Sequence, residues 1–259
     1  MLFRSRHRVA ADKADAARQA LDAGVDMELP DPDVYAQLVA LVKSGRVAEA
    51  LVDRAVTRVL TAKFLAGLFE HPYVDAAAAE SAANTPAHRA LALDAARRSI
   101  VLLQNRGGLL PLDRSKIKKL AVIGPNAKGI HLGGYAGDPG RGVDVLGGIT
   151  AAAKAGIEIT YAEGTRITET EPIWSQDAVT MADPAKNRQR IQDAVGIARQ
   201  ADAVVLVIGT NEATSREAWA DNHLGDVADL SLMGQQEDLA AALLALGKPV
   251  VVVLVNGRP

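Results

Sequence analysis

The chain has 259 residues, of which 49% are hydrophobic, 23% charged and 3% aromatic, a composition typical of a folded globular protein with an aliphatic core. The 29 Lys and Arg residues nearly balance the 31 Asp and Glu residues, giving a net charge of −2, which argues against a nucleic-acid partner. Cysteine is absent, which excludes disulfides, thiolate metal ligands and a cysteine nucleophile.

The apolar runs of the chain are short. None approaches the roughly 20 residues that a membrane-spanning helix requires, so no membrane partner is expected. The start is basic through Arg4, Arg6 and Arg8, but no apolar run follows it, so this stretch is not predicted to be a signal peptide. These observations leave the compartment open.

Helical sequence dominates the first part of the chain. Apolar side chains at helical spacing predict three helices, at residues 11–23, 33–43 and 47–68. A short extended segment at residues 25–29 separates the first two.

A change in composition then marks a linker. Residues 69–85 contain Pro72 and an Ala-rich tract, and Thr85 followed by Pro86 is a typical helix start. We therefore expect an N-terminal domain at residues 1–70, a linker at residues 71–86 and a second domain at residues 87–259.

Apolar runs alternate with helical segments in the second domain. Strands are predicted at residues 100–103, 120–124, 157–161, 203–208 and 250–255, and helices at residues 87–98, 146–155, 185–200 and 233–246. Strands that are apolar throughout and separated by helices indicate a parallel sheet buried on both faces. The predicted fold class is therefore α/β with a mostly parallel sheet.

Two of the loops that follow predicted strands have ambiguous patterns. Ligands of α/β proteins gather at the carboxyl ends of the strands. The loop at residues 125–143 is rich in glycine but lacks both nucleotide-binding glycine fingerprints, so a nucleotide-binding protein is the weakest interpretation. In the loop at residues 162–184, a sugar-stacking role for Trp174 competes with a packing role that anchors the loop.

The loop at residues 209–230 is acidic and is the best candidate site. Glu217 lies two positions from Trp219, and a carboxyl group beside an aromatic ring is desolvated, as a general acid working near neutral pH requires. The alternative is a solvated surface loop, because most surface carboxylates take no part in chemistry. The histidines are scattered, so no metal is expected.

Several segments, in order along nearly the whole chain, resemble the family 3 glycoside hydrolases, which are β-glucosidases and β-xylosidases. They are Ala-Gly-Val-Asp-Met-Glu-Leu-Pro at 23–30, Val-Thr-Arg-Val-Leu-Thr-Ala-Lys-Phe at 56–64, Ser-Ile-Val-Leu-Leu-Gln-Asn at 99–105, Leu-Leu-Pro-Leu at 109–112, Leu-Ala-Val-Ile-Gly-Pro-Asn at 120–126, Leu-Gly-Gly-Tyr at 132–135 and Asn-Gly-Arg-Pro at 256–259. The resemblance implies the C-terminal remnant of a (β/α)8 barrel followed by an α/β sandwich that is truncated at its C-terminus.

The resemblance also implies a reaction, the retaining hydrolysis of terminal β-D-glucosyl residues by an exo-acting enzyme. One carboxylate attacks the anomeric carbon, and a second protonates the leaving oxygen and then activates water. The second is a Glu on a loop that Ser-Arg-Glu-Ala-Trp at 215–219 resembles. The resemblance therefore assigns the acid/base role to Glu217, and Glu212 is the second candidate for that role. Trp219 and Asp226 are expected to contact the substrate.

The chain departs from the family in two places. It contains no Ser-Asp-Trp-like motif, which carries the nucleophile in the family, and the family's Gly-Asp-Arg is replaced by Gly225, Asp226 and Val227. We therefore expect a fragment without the nucleophile that has negligible activity on its own.

The expected substrate is an oligosaccharide or an aryl β-glycoside, without a cofactor. Self-association through exposed faces of the barrel remnant is also expected, and a periplasmic or secreted location would be consistent with the family. A β-xylosidase of the same family and a non-catalytic carbohydrate-binding α/β domain are the alternative functions.

Overall fold

The computed structural model describes residues 9–132, 142–153, 156–169, 179–215 and 225–257. The chain divides into two compact units, Met1–Val101 and Leu102–Pro259. In the described part of the chain, no helix combines the length and the apolar character needed to cross a bilayer.

The first unit is built from helices. Its helices are α1 (Lys13–Asp22), α2 (Leu38–Lys43), α3 (Glu49–Leu65), α4 (Ala76–Ala82) and α5 (Pro86–Ser99). The Asp12 side chain accepts a hydrogen bond from the Asp15 N–H and caps α1, and Thr85 caps α5 in the same way. Helix α4 lies inside the stretch that the sequence predicts as a linker.

A small apolar core joins α1, α2 and α3. Its buried members include Ala16, Ala17, Leu21, Leu41, Val47 and Ala55. Residues 25–29, predicted to be extended, have no regular secondary structure and pair with no strand among the described residues. The Glu28 carboxylate accepts hydrogen bonds from the N–H groups of Val34 (2.9 Å) and Tyr35 (2.7 Å), so the turn into the next helix is fixed by a side chain.

The second unit contains a four-stranded sheet. Its strands are β1 (Lys119–Ile123), β2 (Glu158–Ala162), β3 (Ala203–Gly209) and β4 (Val250–Val255). They lie in the order β2-β1-β3-β4, and every pair is parallel. The predicted α/β class with a parallel sheet is confirmed.

One predicted strand is wrong. Residues 100–103 belong to no strand, and Ile100, Val101, Leu102 and Leu103 are 78%, 72%, 64% and 79% exposed. An apolar run has a preference for extended backbone, but it becomes a strand only where a neighbour pairs with its N–H and C=O groups. No strand of the described residues does so here.

Helices cover both faces of the sheet. They are α6 (Val145–Ala153), α7 (Pro184–Arg199) and α9 (Gln236–Leu244), and the short α8 (Glu212–Ser215) follows β3. Ala194 of α7 and Leu239 and Leu243 of α9 pack on one face, and Ile149 of α6 packs on the other. Every residue of β3 is buried, as expected for a central parallel strand.

The chain reverses its direction of winding between β1 and β3. The connection from β1 leads to β2 on one side, whereas β3 lies on the other side of β1. Ligands of open α/β sheets bind outside the carboxyl ends of the strands at such a reversal. The loops after β1 and β3 are therefore where the topology favours a site.

Candidate functional site

Glycines end the two central strands. Gly124 follows β1 with φ 137°, and Gly209 ends β3 with φ 149°. A Cβ atom would lie 1.8 Å from the Val207 carbonyl oxygen at Gly124, and 2.0 Å from the Val255 carbonyl oxygen at Gly209. Only glycine fits either place, so each strand end lies directly against its neighbour's backbone.

Asn126 joins the loop after β1 to the loop after β3. Its side chain is 0% exposed, and its Nδ2 donates a 2.7 Å hydrogen bond to the Thr210 carbonyl. The Oδ1 atom is also buried and accepts no hydrogen bond from the described residues. The bond to Thr210 therefore fixes the two loops to each other at the reversal point.

Asn211 connects the start of α8 to the loop after β2. Its Oδ1 accepts a 3.1 Å hydrogen bond from the Thr214 N–H, which caps the short helix. Its Nδ2 donates to the Thr168 Oγ1 at 3.1 Å. The loop after β4 also reaches this place, because the Gly257 N–H donates to the Thr210 Oγ1 at 3.3 Å. Loops from all four strands thus converge on residues 210–215.

Glu212 ties the loop after β1 to helix α8. Its side chain is 19% exposed, and its Oε2 lies 3.5 Å from the His131 Nδ1. Its Oε1 accepts a 3.2 Å hydrogen bond from the Leu132 N–H.

These contacts set the ionisation of Glu212. Burial raises its pKa, but the hydrogen bonds from the His131 ring and from the N–H groups of Glu212 and Leu132 outweigh burial, so the pKa lies below its usual value. The carboxylate is ionised at neutral pH and already accepts hydrogen bonds, and it is poorly suited to donate a proton.

The structure describes only one of the other candidate residues from the sequence. Glu217, Trp219 and Trp174 lie outside the described residues. Asp226 is exposed, and Gly225 beside it is buried. Of the four candidate residues of the β3 loop, the structure therefore places Glu212 among the converging loops and Asp226 at the surface.

Three carboxylates in the described parts of the loop after β2 form hydrogen bonds close to their own positions. Glu163 accepts hydrogen bonds of 2.8 and 2.9 Å from the Arg166 Nε. Glu169 accepts one from the Asp183 N–H, which lowers the pKa of Glu169. Asp183 in turn caps α7. These three side chains hold the loop in its conformation.

Three polar residues that build the site, Asn126, His131 and Asn211, were not candidates from the sequence. Asn126 and Asn211 follow apolar strands at the reversal point, which is a positional signal. His131 lies in a glycine-rich segment and has no such signal. Where the structure describes the chain, no group of three or more Asp, Glu or His side chains lies close enough to hold a metal ion.

The fold and site define an α/β domain whose four parallel strands direct polar loops to one convergence point. Residues 100–259 match the glycosyl hydrolase family 3 C-terminal domain, and residues 5–62 match the glycosyl hydrolase family 3 N-terminal domain. The chain belongs to glycosyl hydrolase family 3, and the resemblance noted in the sequence is confirmed.

Curated relatives match nearly the whole chain. A β-xylosidase of Formosa agariphila is 37% identical over 98% of this chain. A periplasmic β-glucosidase of Salmonella typhimurium is 39% identical over 98% of it. In both cases the match covers 34% of the relative, so the chain spans about a third of the length of these proteins.

Solved structures agree with the fold. A β-glucosidase from Erythrobacter marinus is 47% identical with a TM-score of 0.90, over 99% of this chain and 35% of that one. A β-glucosidase from Listeria innocua, determined in complex with laminaribiose, is 30% identical with a TM-score of 0.76, over 98% of this chain and 32% of that one.

Proposed function

We propose that this chain supplies the acid/base half of the active site of an exo-acting retaining β-glycosidase. The observation that carries the proposal is the family match over residues 5–62 and 100–259, combined with the convergence of four loops where the acid/base segment begins. The proposed substrate is an oligosaccharide or aryl glycoside with a terminal β-D-glucosyl residue. Glucose is preferred over xylose because the solved β-glucosidase from Erythrobacter marinus is 47% identical.

Glu217 is the proposed acid/base. The segment that contains it starts at Ser215, whose Oγ donates a 2.8 Å hydrogen bond to the Asn211 carbonyl. Glu212, the reserve candidate, has a lowered pKa and is held by His131 and Leu132. It therefore acts in this proposal as a clamp between two loops, and Trp219 and Asp226 are proposed to contact the sugar.

The nucleophile is proposed to come from polypeptide outside these 259 residues. No Ser-Asp-Trp-like motif occurs in the sequence, and the relatives are about three times longer than the matched stretch, as coverage of 34% implies. In this arrangement residues 1–70 complete a barrel, residues 71–86 link the domains, and residues 87–259 carry the acid/base. The two carboxyl groups would then stand about 5–5.5 Å apart.

The test compares this chain alone with the same chain joined to a family 3 barrel that carries a nucleophile. We expect negligible hydrolysis of an aryl β-glucoside by the chain alone, and turnover by the joined protein. There, Glu217→Ala should abolish turnover of substrates with poor leaving groups. On 2,4-dinitrophenyl β-glucoside it should keep kcat/KM, because that leaving group needs no proton, but it should lower kcat, because water is no longer activated in the second step. Azide, which needs no general base, should restore kcat.

The matched control is Glu212→Ala, which should not produce azide rescue. Robust turnover by the chain alone that disappears in Glu217→Ala would overturn the proposal, because a nucleophile would then have to lie within these residues. Parallel assays on the aryl β-xyloside decide between the two sugars.

A second candidate function is a non-catalytic carbohydrate-binding domain. The missing nucleophile motif favours it. Glycan binding that persists in Glu217→Ala, together with no turnover after the barrel is joined, would establish it in place of the hydrolase.

A further inference from the structure

Gln236 is a fully buried polar side chain of the second unit. It is the first residue of α9 and is 0% exposed. Its Oε1 accepts a 2.9 Å hydrogen bond from the Gly209 N–H. Its Nε2 donates to the carbonyls of Gly209 and Met233, both at 2.9 Å. A buried amide is costly unless its groups are all bonded, and here both of its donors and its oxygen are bonded.

The carboxamide takes the place of a peptide group in the sheet. The Thr210 N–H donates to the Val255 carbonyl of β4 at 3.0 Å, and successive residues of a strand direct their N–H and C=O groups to opposite neighbours. Gly209 therefore directs its pair toward the side of β1. The ladder between β1 and β3 has already ended there, at the pair Ile123 and Leu206. Gln236 offers one donor and one acceptor to Gly209, as a further residue of β1 would.

This pairing restrains Gly209, a backbone position from which the β3 loop could otherwise move. Gly209 has no side chain, and glycine has more backbone freedom than any other residue. The next residue in the chain is Thr210, whose carbonyl accepts a 2.7 Å hydrogen bond from the Asn126 Nδ2. A rotation at Gly209 would break this bond and shift Asn211, the cap of α8. The direction in which the chain leaves the sheet thus depends on Gln236.

We propose that Gln236 is a positioning residue for the acid/base loop, acting through Gly209 on the segment that begins at Thr210. The inference rests on the proposed function for its catalytic part, since Glu217 lies further along the same loop. Its structural part, the restraint of residues 209–215, stands without that function.

Three variants separate positioning from general stability. Gln236→Met keeps the length of the side chain but bonds neither group of Gly209. Gln236→Glu keeps the acceptor for the Gly209 N–H and loses the donors. The matched control is Asp202→Ala, at the opposite end of β3, where the Asp202 carboxylate accepts hydrogen bonds from the N–H groups of Lys118 (2.7 Å) and Lys119 (2.9 Å).

The first measurement uses this chain as it is. Amide hydrogen exchange, followed by mass spectrometry on peptides that cover residues 209–215, should be about 10-fold faster or more in Gln236→Met, because exchange follows local opening. Asp202→Ala should leave these peptides unchanged. Unchanged exchange of residues 209–215 in a folded Gln236→Met would overturn the inference.

The second measurement uses the joined protein with a barrel. A displaced general acid costs most where the leaving group needs a proton. In Gln236→Met we expect kcat/KM, which reports the step that expels the leaving group, to fall about 10- to 100-fold on phenyl β-glucoside and much less on 2,4-dinitrophenyl β-glucoside. Gln236→Glu should fall in between, whereas equal losses of kcat/KM on both substrates would overturn the catalytic part.

The outcomes remain distinct from those of the proposed function. Faster exchange together with no turnover by any joined protein would remove the hydrolase proposal and leave the restraint standing. If both Gln236 variants fail to fold while Asp202→Ala folds, Gln236 is a core residue only, and the positioning role is overturned.

Discussion

The Nδ2 of Asn126 donates a 2.7 Å hydrogen bond to the Thr210 carbonyl, across the point where the sheet reverses its winding. Asn126→Leu removes this donor and leaves the partly buried Thr210 carbonyl without it. We expect the free energy of unfolding to fall by about 1–3 kcal/mol, the usual penalty for an unsatisfied buried polar group. Urea denaturation measures this change, and a loss below about 0.5 kcal/mol would show that the bond contributes little.

Glu212 should make stability depend on pH in the acid range. Its folded-state pKa is lowered, so the ionised form stabilises the native state above the unfolded value of about 4.3. That contribution is lost as the pH falls from there through the folded-state pKa. The difference in unfolding free energy between the wild type and Glu212→Gln should therefore be largest at neutral pH and shrink below about pH 4.

The control for this prediction is Asn126→Leu, which removes no titratable group. Its difference in unfolding free energy should therefore vary less with pH than that of Glu212→Gln. A Glu212→Gln difference that stays constant from neutral pH to pH 3 would contradict the assigned hydrogen bonds.

Gly209 should tolerate no side chain. In Gly209→Ala the new Cβ would lie 2.0 Å from the Val255 carbonyl oxygen, at a φ of 149°, and we expect a loss of about 3 kcal/mol or more, or no folding. Gly196→Ala is the matched change, since it lies on α7 and a Cβ there meets nothing within 4 Å. It should stabilise the protein by about 0.5–1 kcal/mol. Equal melting temperatures for the two variants would refute this contrast.

The first unit should self-associate through apolar side chains of α3 and the turn that follows it. Phe64 and Leu65 are 58% and 85% exposed, and the rings of Phe64 and Phe69 lie with centroids 4.3 Å apart. An exposed apolar patch of this kind favours association. Light scattering should show a mass that rises with concentration, and Phe64→Glu should lower it. A single monomer mass at high concentration would contradict the prediction.

Much of the fold of the second unit was predictable from apolar runs. Buried parallel strands must be apolar on both faces, so residues 203–208 stand out in the sequence, and the structure has a buried strand there. Residues 250–255 have the same apolar pattern and also form a strand, which is only partly buried. Residues 100–103 have the same local signal, but a strand also needs a partner, and pairing is a property of the whole fold.

The site was less predictable because its residues act through backbone groups that are distant in sequence. Glu212 was a candidate because it is acidic, yet its role depends on the Leu132 N–H, 80 residues away. Gln236 interrupts no periodic pattern, and its partner Gly209 is 27 residues away. An apolar or acidic pattern cannot reveal such contacts. Glu217 was singled out by its place beside Trp219 in an acidic loop and by the family resemblance, and not by any contact of this kind.

Helix α9 has two structural roles, and a change that affects one of them also affects the other. Leu239 and Leu243 fill the core beneath the sheet, while Gln236, one turn from Leu239, holds the end of β3. A substitution that shifts α9 along its axis to improve packing would move the carboxamide away from Gly209. Attempts to stabilise the protein by redesigning this helix will therefore trade heat resistance against the restraint at the end of β3, whereas Ile191 and Ala194 on α7 offer core positions without that conflict.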